Sequence, residues 1–174
     1  RDGAFIHDPV LERLRGTKVW ALYQDREGGL WIGTQGAGLY LLKTGRLVQF
    51  TAEHGLPSNK IHFVGEDRAG NLWLSGPAGA VSVSRRDLEL RRAHGSGDLP
   101  MRLYDTTEGL DTNQMRGGVQ PAGVVTTAGD VWLPGTKGAV IIVPNEPDRP
   151  TRLPVVIEQA VASGPPIQFP TTLD

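Results

Sequence analysis

Asp25-Arg26-Glu27-Gly28-Gly29-Leu30-Trp31-Ile32-Gly33-Thr34 returns as Asp67-Arg68-Ala69-Gly70-Asn71-Leu72-Trp73-Leu74-Ser75-Gly76. It returns again, more weakly, as Thr126-Thr127-Ala128-Gly129-Asp130-Val131-Trp132-Leu133-Pro134-Gly135. Trp31 and Trp73 are 42 positions apart, as are Asp25 and Asp67, while Trp132 follows Trp73 by 59, so the second unit carries an insertion. Self-similarity near this period, with short alternating strands and one Asp-x-x-Gly turn per unit, indicates propeller blades.

The first unit divides at its turn residues. Residues 19–24 read as a strand, 25–29 as a turn and 30–34 as a second strand. Residues 38–43 return, 44–46 turn again, and 47–51 make a fourth strand, so the unit is an antiparallel meander. The Asp25 carboxylate is expected to accept from turn N–H groups two or three residues on, and the glycines tolerate positive φ. The linker repeats too: Gly55-Leu56-Pro57-Ser58-Asn59 aligns with Gly109-Leu110-Asp111-Thr112-Asn113. Trp31, Trp73 and Trp132 are large apolar plates expected to fill the wedge between blades, with Gly33 or Ser75 beside them to admit the neighbour. The fold class is all-β, a partial β-propeller of about three four-stranded blades, with units near 19–60, 61–115 and 116–143.

Residues 19–143 resemble the two-component regulator propeller repeat through Asp-Arg-x-Gly-x-Leu-Trp-Ile-Gly-Thr, the returning Gly38-Leu39-Tyr40 and the Gly-Leu-Pro-Ser-Asn linker. The second unit has Ser75 for the usual Gly, and the third has Thr126 for Asp and Pro134 after its Trp. The resemblance implies a periplasmic sensor domain of a membrane-bound hybrid histidine kinase or diguanylate cyclase. It also implies that residues 155–174 begin the Ig-like domain that follows such propellers, after a proline-rich linker at 144–154.

The 174 residues suffice for one domain with a core, but closing even a six-blade ring would take about 250. The chain is therefore expected to be a piece of a larger protein. Ala4-Phe5-Ile6 and Val10-Leu11 read as the outer strand of a preceding blade, and open blade faces favour self-association. The net charge of −1 argues against nucleic acid as a partner. Arg85, Arg86, Arg91 and Arg92 surround Asp87 and Glu89 in the insertion and read as a solvated edge. The absence of cysteine excludes disulfide and thiol chemistry, and no apolar run is long enough to cross a membrane, so no membrane contact is expected of this segment.

His7, His54, His62 and His94 have no metal-ligand spacing, and no nucleophile elbow exists. Gly33-Thr34-Gln35-Gly36-Ala37-Gly38 lies between strands and reads as a hairpin rather than a phosphate loop. Asp105, Glu108, Asp111 and Asn113 depart from calcium-loop spacing and read as turn formers. No metal, cofactor or catalytic residue is expected.

A meandering blade puts the linker and the turn between strands two and three on one face. Gln35, Asn59, His62, Asn113, Arg116 and Lys137 are the ligand-binding candidates there, with Trp20 nearby on the innermost strand. Asn59 and Asn113 recur in the repeat, so tying turns together is the favoured reading for them, and the unit-specific Gln35, Arg116 and Lys137 are the better recognition candidates. The leading expectation is a non-catalytic periplasmic module recognising a polar or glycan-derived ligand, in a receptor that works as a homodimer and signals to a kinase or cyclase. The alternatives are a propeller lyase or glycan hydrolase, which needs a converging acid–base pair, and a protein-interaction scaffold, which needs an apolar top face.

Overall fold

The computed structural model describes residues 7–94, 99–118 and 121–144. The chain divides into two compact units, Arg1–Pro144 and Asn145–Asp174. The second unit, and with it the expected Ig-like strands and most of the linker, lies outside the described residues.

The first blade is a meander of β1 (Val19–Gln24), β2 (Leu30–Thr34), β3 (Leu39–Lys43) and β4 (Arg46–Phe50), in spatial order β1-β2-β3-β4. The second is β5 (Phe63–Glu66), β6 (Asn71–Gly76), β7 (Gly79–Ser84) and β8 (Met101–Tyr104), in the same order. The third has β9 (Val124–Val125), β10 (Val131–Gly135) and β11 (Gly138–Ile142). The expected fourth strand of this blade is not among the described residues. Between sheets, β1 approaches β5 and β5 approaches β9, so the first strand of each meander is the inner one. The described residues thus form a three-blade arc of a β-propeller.

Each seam is filled from the repeat. Trp31 is fully buried against Leu72, Leu74, Val81 and Val83 of the second blade. Trp73 is 1% exposed and packs with Val131, Leu133 and Ile142 of the third. Trp132 holds the equivalent strand position but is 42% exposed, which corrects the expectation that it fills an inter-blade wedge. Its sheet face, shared with cross-strand neighbours Val124 and Ile141, has no blade against it among the described residues.

Two further expectations are corrected. Val10 and Leu11 belong to a 3-10 turn, Pro9–Leu14, not a strand. Asp8 Oδ1 accepts from Val10 N at 2.9 Å, and Pro9 opens the turn where its missing N–H costs nothing. Val10, Leu11 and Leu14 then cover Ile32, Tyr40 and Leu47, so both faces of the first blade are packed. The insertion in the second unit is a helix, α1 (Arg85–His94), between β7 and β8. Leu88 on α1 is fully buried in the core of the first seam and Arg85 is part-buried among carboxylates, which corrects the solvated-edge reading for Arg85, while Arg86 is exposed as expected.

Candidate functional site

The repeat-invariant residues are consumed by the fold. Asp25 Oδ1 accepts from Glu27 N at 2.9 Å and Gly29 N at 2.8 Å, and its Oδ2 accepts from the Trp31 indole N–H at 2.8 Å. Asp67 does the same for Ala69 N, Asn71 N and the Trp73 indole N–H, each at 2.9 Å. One carboxylate therefore closes the turn and satisfies a buried indole, a link that turn chemistry alone did not suggest. Asn59 and Asn113 are likewise twins. The Asn59 side-chain oxygen accepts from Ala52 N at 2.7 Å, and that of Asn113 accepts from Thr106 N at 2.6 Å, tying each linker's 3-10 turn. Their side-chain oxygens are engaged in the linker itself.

The residues that differ between units lie elsewhere. His62 N donates to Ser75 O at 2.8 Å, and Arg116 N donates to Pro134 O at 2.7 Å, which shows that His62 and Arg116 hold one repeat position on the inner chain. Trp20, 42 positions before His62, holds the same position in the first blade. It sits in a bulge, because β1 pairs Val19 with Thr34 and Ala21 with Gly33. Its ring lies 4.8 Å from that of His62, at an interplanar angle of 57°. His62 in turn leans on the third blade. Its Nδ1 lies 2.8 Å from Met115 O, and since a carbonyl has no proton to give, Nδ1 carries the hydrogen and Nε2 is the lone-pair nitrogen of the neutral ring. Gly117 admits the ring: a Cβ there would stand 2.4 Å from His62 Cγ. Burial, opposed by the Met115 carbonyl and aided by Lys60, holds the His62 pKa below its ordinary value.

The other candidates arrange themselves around this row. Gln35 N donates to Lys18 O at 2.9 Å, and Gln35 forms an antiparallel bridge with Lys60, so two lysines flank it. Arg116 is exposed beside Met115. Lys137 is exposed in the turn between β10 and β11, next to Thr136, whose N donates to Gln114 O at 3.1 Å. The structure therefore puts His62 and Arg116 at one position of the inner chain and Gln35 on a bridge to Lys60, two residues from His62. It leaves Lys137 in the turn between β10 and β11, and commits the Asn59 and Asn113 oxygens to the linkers. The sequence pattern places Lys60 on this face with its linker but did not single out Lys18, although the two stand 42 positions apart and two residues before Trp20 and His62.

The opposite face is a charge lattice. Arg85 donates to Glu66 Oε1 at 3.1 Å, Glu89 Oε1 at 3.0 Å and Glu27 Oε1 at 2.7 Å, and Lys43 reaches Glu27 at 2.8 Å and Glu89 at 2.9 Å. Arg85 and then Lys43 pull the Glu27 carboxyl down to about 2. A groove of about 750 Å³ lies near this end, between the Pro9–Leu14 turn, β4 and Glu89 of α1, away from the inner row. Among the described residues no cluster of His, Cys, Asp and Glu could hold a metal ion, and no helix is long and apolar enough to cross a membrane.

Residues 13–36 match the sequence model of the family described as two component regulator propeller. That match takes in β1 and β2 of the first blade. The propeller arc is also similar to the extracellular domain of BT3049 from B. thetaiotaomicron, described as a hybrid two component system, at 27% identity and a TM-score of 0.50. That likeness covers 66% of this chain and 14% of the BT3049 chain. Two structures of the extracellular domain of BT4673 from the same organism share the fold. The first, described as from a hybrid system, is 23% identical with a TM-score of 0.54 and covers 66% of this chain and 15% of that one. The second, described as from a one component system, is 20% identical with a TM-score of 0.56 and covers 72% and 17%. No curated protein matches the chain closely enough to count as a relative.

Proposed function

We propose that this propeller arc is a ligand-recognising, non-catalytic segment of the periplasmic part of a two-component-type receptor. The observation that carries the reading is the row Trp20, His62 and Arg116. At this one repeat position three successive units place three chemically different side chains, whereas the Asp, Trp and Asn positions repeat because the fold consumes them. A binding site needs unlike groups converging on one ligand, and an inner-strand row at a propeller mouth gathers them. The ligand is a polar or glycan-derived molecule, which the aromatic plate of Trp20 and the donors of Gln35 and Arg116 suit. Its effect would pass to a kinase or cyclase output if it binds one arrangement of a receptor dimer better than another. The similarity to BT3049 supports the receptor setting.

A lyase or hydrolase reading is less well supported. His62 has its Nδ1 committed to a backbone carbonyl, and no carboxylate among the described residues orients its ring, so no acid–base pair is assembled at the row. Thermal-shift screening of the chain against oligosaccharide fragments, with the Trp20→Ala/His62→Gln/Arg116→Ala variant alongside, tests the proposal. Stabilisation by one fragment that vanishes in the triple variant is expected. Stabilisation that survives it, or turnover of the fragment by the purified chain, overturns it.

A further inference from the structure

The two ends of the blades carry opposite electrostatic arrangements. On the lattice side, Lys43 and Arg85 each touch at least two carboxylates. On the mouth side, Lys18, Lys60 and Arg116 are all exposed, and none has a carboxylate within ion-pair distance among the described residues. Lys18 and Lys60 are held apart but adjacent by Gln35, which is bonded to the one and bridged to the other. Arg116 follows Met115, the residue that anchors the His62 ring. The acids that share this face, Glu53, Asp105, Glu108 and the exposed Asp111, lie in the linkers after the outer strands β4 and β8, and none is within ion-pair distance of Lys18, Lys60 or Arg116. Glu53 lies in the Ala52–His54 turn, while Asp105 is bound to Thr107 and Glu108 faces Arg102 at 3.8 Å. Three cations thus lie along the inner row without a carboxylate partner among the described residues: Lys60 close enough to act on the desolvated His62, Lys18 joined to Lys60 through Gln35, and Arg116 next to the residue that anchors the ring. Together they attract negative charge.

From this geometry we infer that the ligand of the inner row is an anion: a molecule carrying carboxylate or sulfate groups that Lys18, Lys60 and Arg116 bind while Trp20 covers an apolar or ring face of it. The inference rests on the ligand-recognition reading above and narrows it. Arg116 supplies a planar fork suited to a bidentate carboxylate or sulfate, and the two lysines supply point charges that tolerate a range of spacings. Burial and the nearby Lys60 keep the His62 pKa low, so near neutral pH the ring offers Nε2 as an acceptor for a ligand hydroxyl and adds no further charge.

The experiment is calorimetric titration of the 174-residue chain with a glucose trimer and with the glucuronate trimer of the same linkage, at low and at high salt. The uronate is expected to bind at least about ten-fold more tightly than the neutral trimer and to weaken as salt rises. Lys18→Glu/Lys60→Glu is expected to abolish that advantage. Arg46→Glu/Arg68→Glu makes the same change in net charge at exposed positions on the lattice side and is expected to leave it intact. Equal affinity for the two trimers overturns the anionic inference and leaves the recognition reading standing. Failure of both trimers and of inorganic sulfate to bind at millimolar concentration overturns both. Loss of uronate binding in the Arg46/Arg68 variant would reduce the effect to net charge and overturn the site.

Discussion

The seam between the first and second blades and the seam between the second and third have the same repeat-encoded core but different polar surroundings. In both, a tryptophan is buried with its indole N–H on an Asp of its own turn. In both, an inner-chain N–H crosses to the preceding blade, Ile61 N to Thr34 O at 2.9 Å and Met115 N to Gly76 O at 3.2 Å. Only the first seam is also clasped by charge. Arg26 reaches Asp67 O and Arg68 O of the next turn, Glu27 and Lys43 meet Arg85 and Glu89, and α1 drives Leu88 into the gap. Arg68, the repeat partner of Arg26, is exposed, and no ion pair crosses the second seam among the described residues. The second seam instead depends on His62 and on a hydroxyl pair, Thr112 with Thr136 at 3.0 Å. The repeat thus sets the apolar contact, and an insertion between two strands decides how firmly it is held.

Opening the charged clasp should have the largest effect. Arg85→Met leaves the Glu66 carboxylate, whose side chain is 1% exposed, without its ion-pair partner, and is expected to cost about 3–5 kcal/mol in chemical denaturation. Hydrogen exchange should accelerate at the first seam before the second.

Asp25→Ala and Asp67→Ala test what the seams share. Each strips a buried indole N–H and two turn N–H groups of their acceptor, for an expected loss of about 2–3 kcal/mol, similar in the two blades. A much smaller loss at either site would mean that the turn finds other partners.

His62→Phe probes the second seam. It leaves Met115 O unpaired there and is expected to cost about 1–2 kcal/mol. It should also remove a pH dependence. Because the folded His62 pKa lies below the unfolded value of about 6.5, the unfolded chain binds the proton first, and stability falls as pH drops from there through the folded pKa. Melting temperatures from about pH 4.5 to 8 should show that decline in the parent and a flatter profile in the variant. Glu27 acts in a lower window: its folded pKa of about 2 lies below the ordinary 4.5, so its contribution is present above 4.5 and lost as pH falls toward 2. With its side chain half-exposed at 52%, that contribution should shrink in salt.

The smallest effect is expected in the third blade. Thr126 Oγ1 accepts from Asp130 N at 3.1 Å, but no acceptor is bonded to the Trp132 indole among the described residues. Thr126→Asp/Asp130→Asn recreates the second blade's turn and should add about 0.5–1 kcal/mol while narrowing the Trp132 fluorescence environment. If Trp132 instead associates with another copy of the chain, as the open sheet face suggests, light scattering across a dilution series will show it, and Trp132→Thr should suppress it.

The blades were legible without any coordinates. A 42-residue period with an Asp turn, a Trp strand and a Gly-Leu-x-x-Asn linker indicates stacked blades, and the strand positions of the first blade follow from local turn chemistry. The same period separated repeating asparagines from unit-specific candidates such as Gln35, Arg116 and Lys137, and only the structure set His62 in the row and left Lys137 in a turn. What remained was settled only in three dimensions, because each outcome depends on a neighbour distant in the chain. Arg85 looks solvated in its own segment, and only the turn carrying Glu27, 58 residues away, makes it a clasp. Val10 and Leu11 carry a strand-like pair of residues, but the Asp8 cap and Pro9 wind them into a turn that seals the first blade. Trp132 reads like its two predecessors, yet burial belongs to a seam and not to a residue, and a Trp strand becomes core only where a second sheet lies against it.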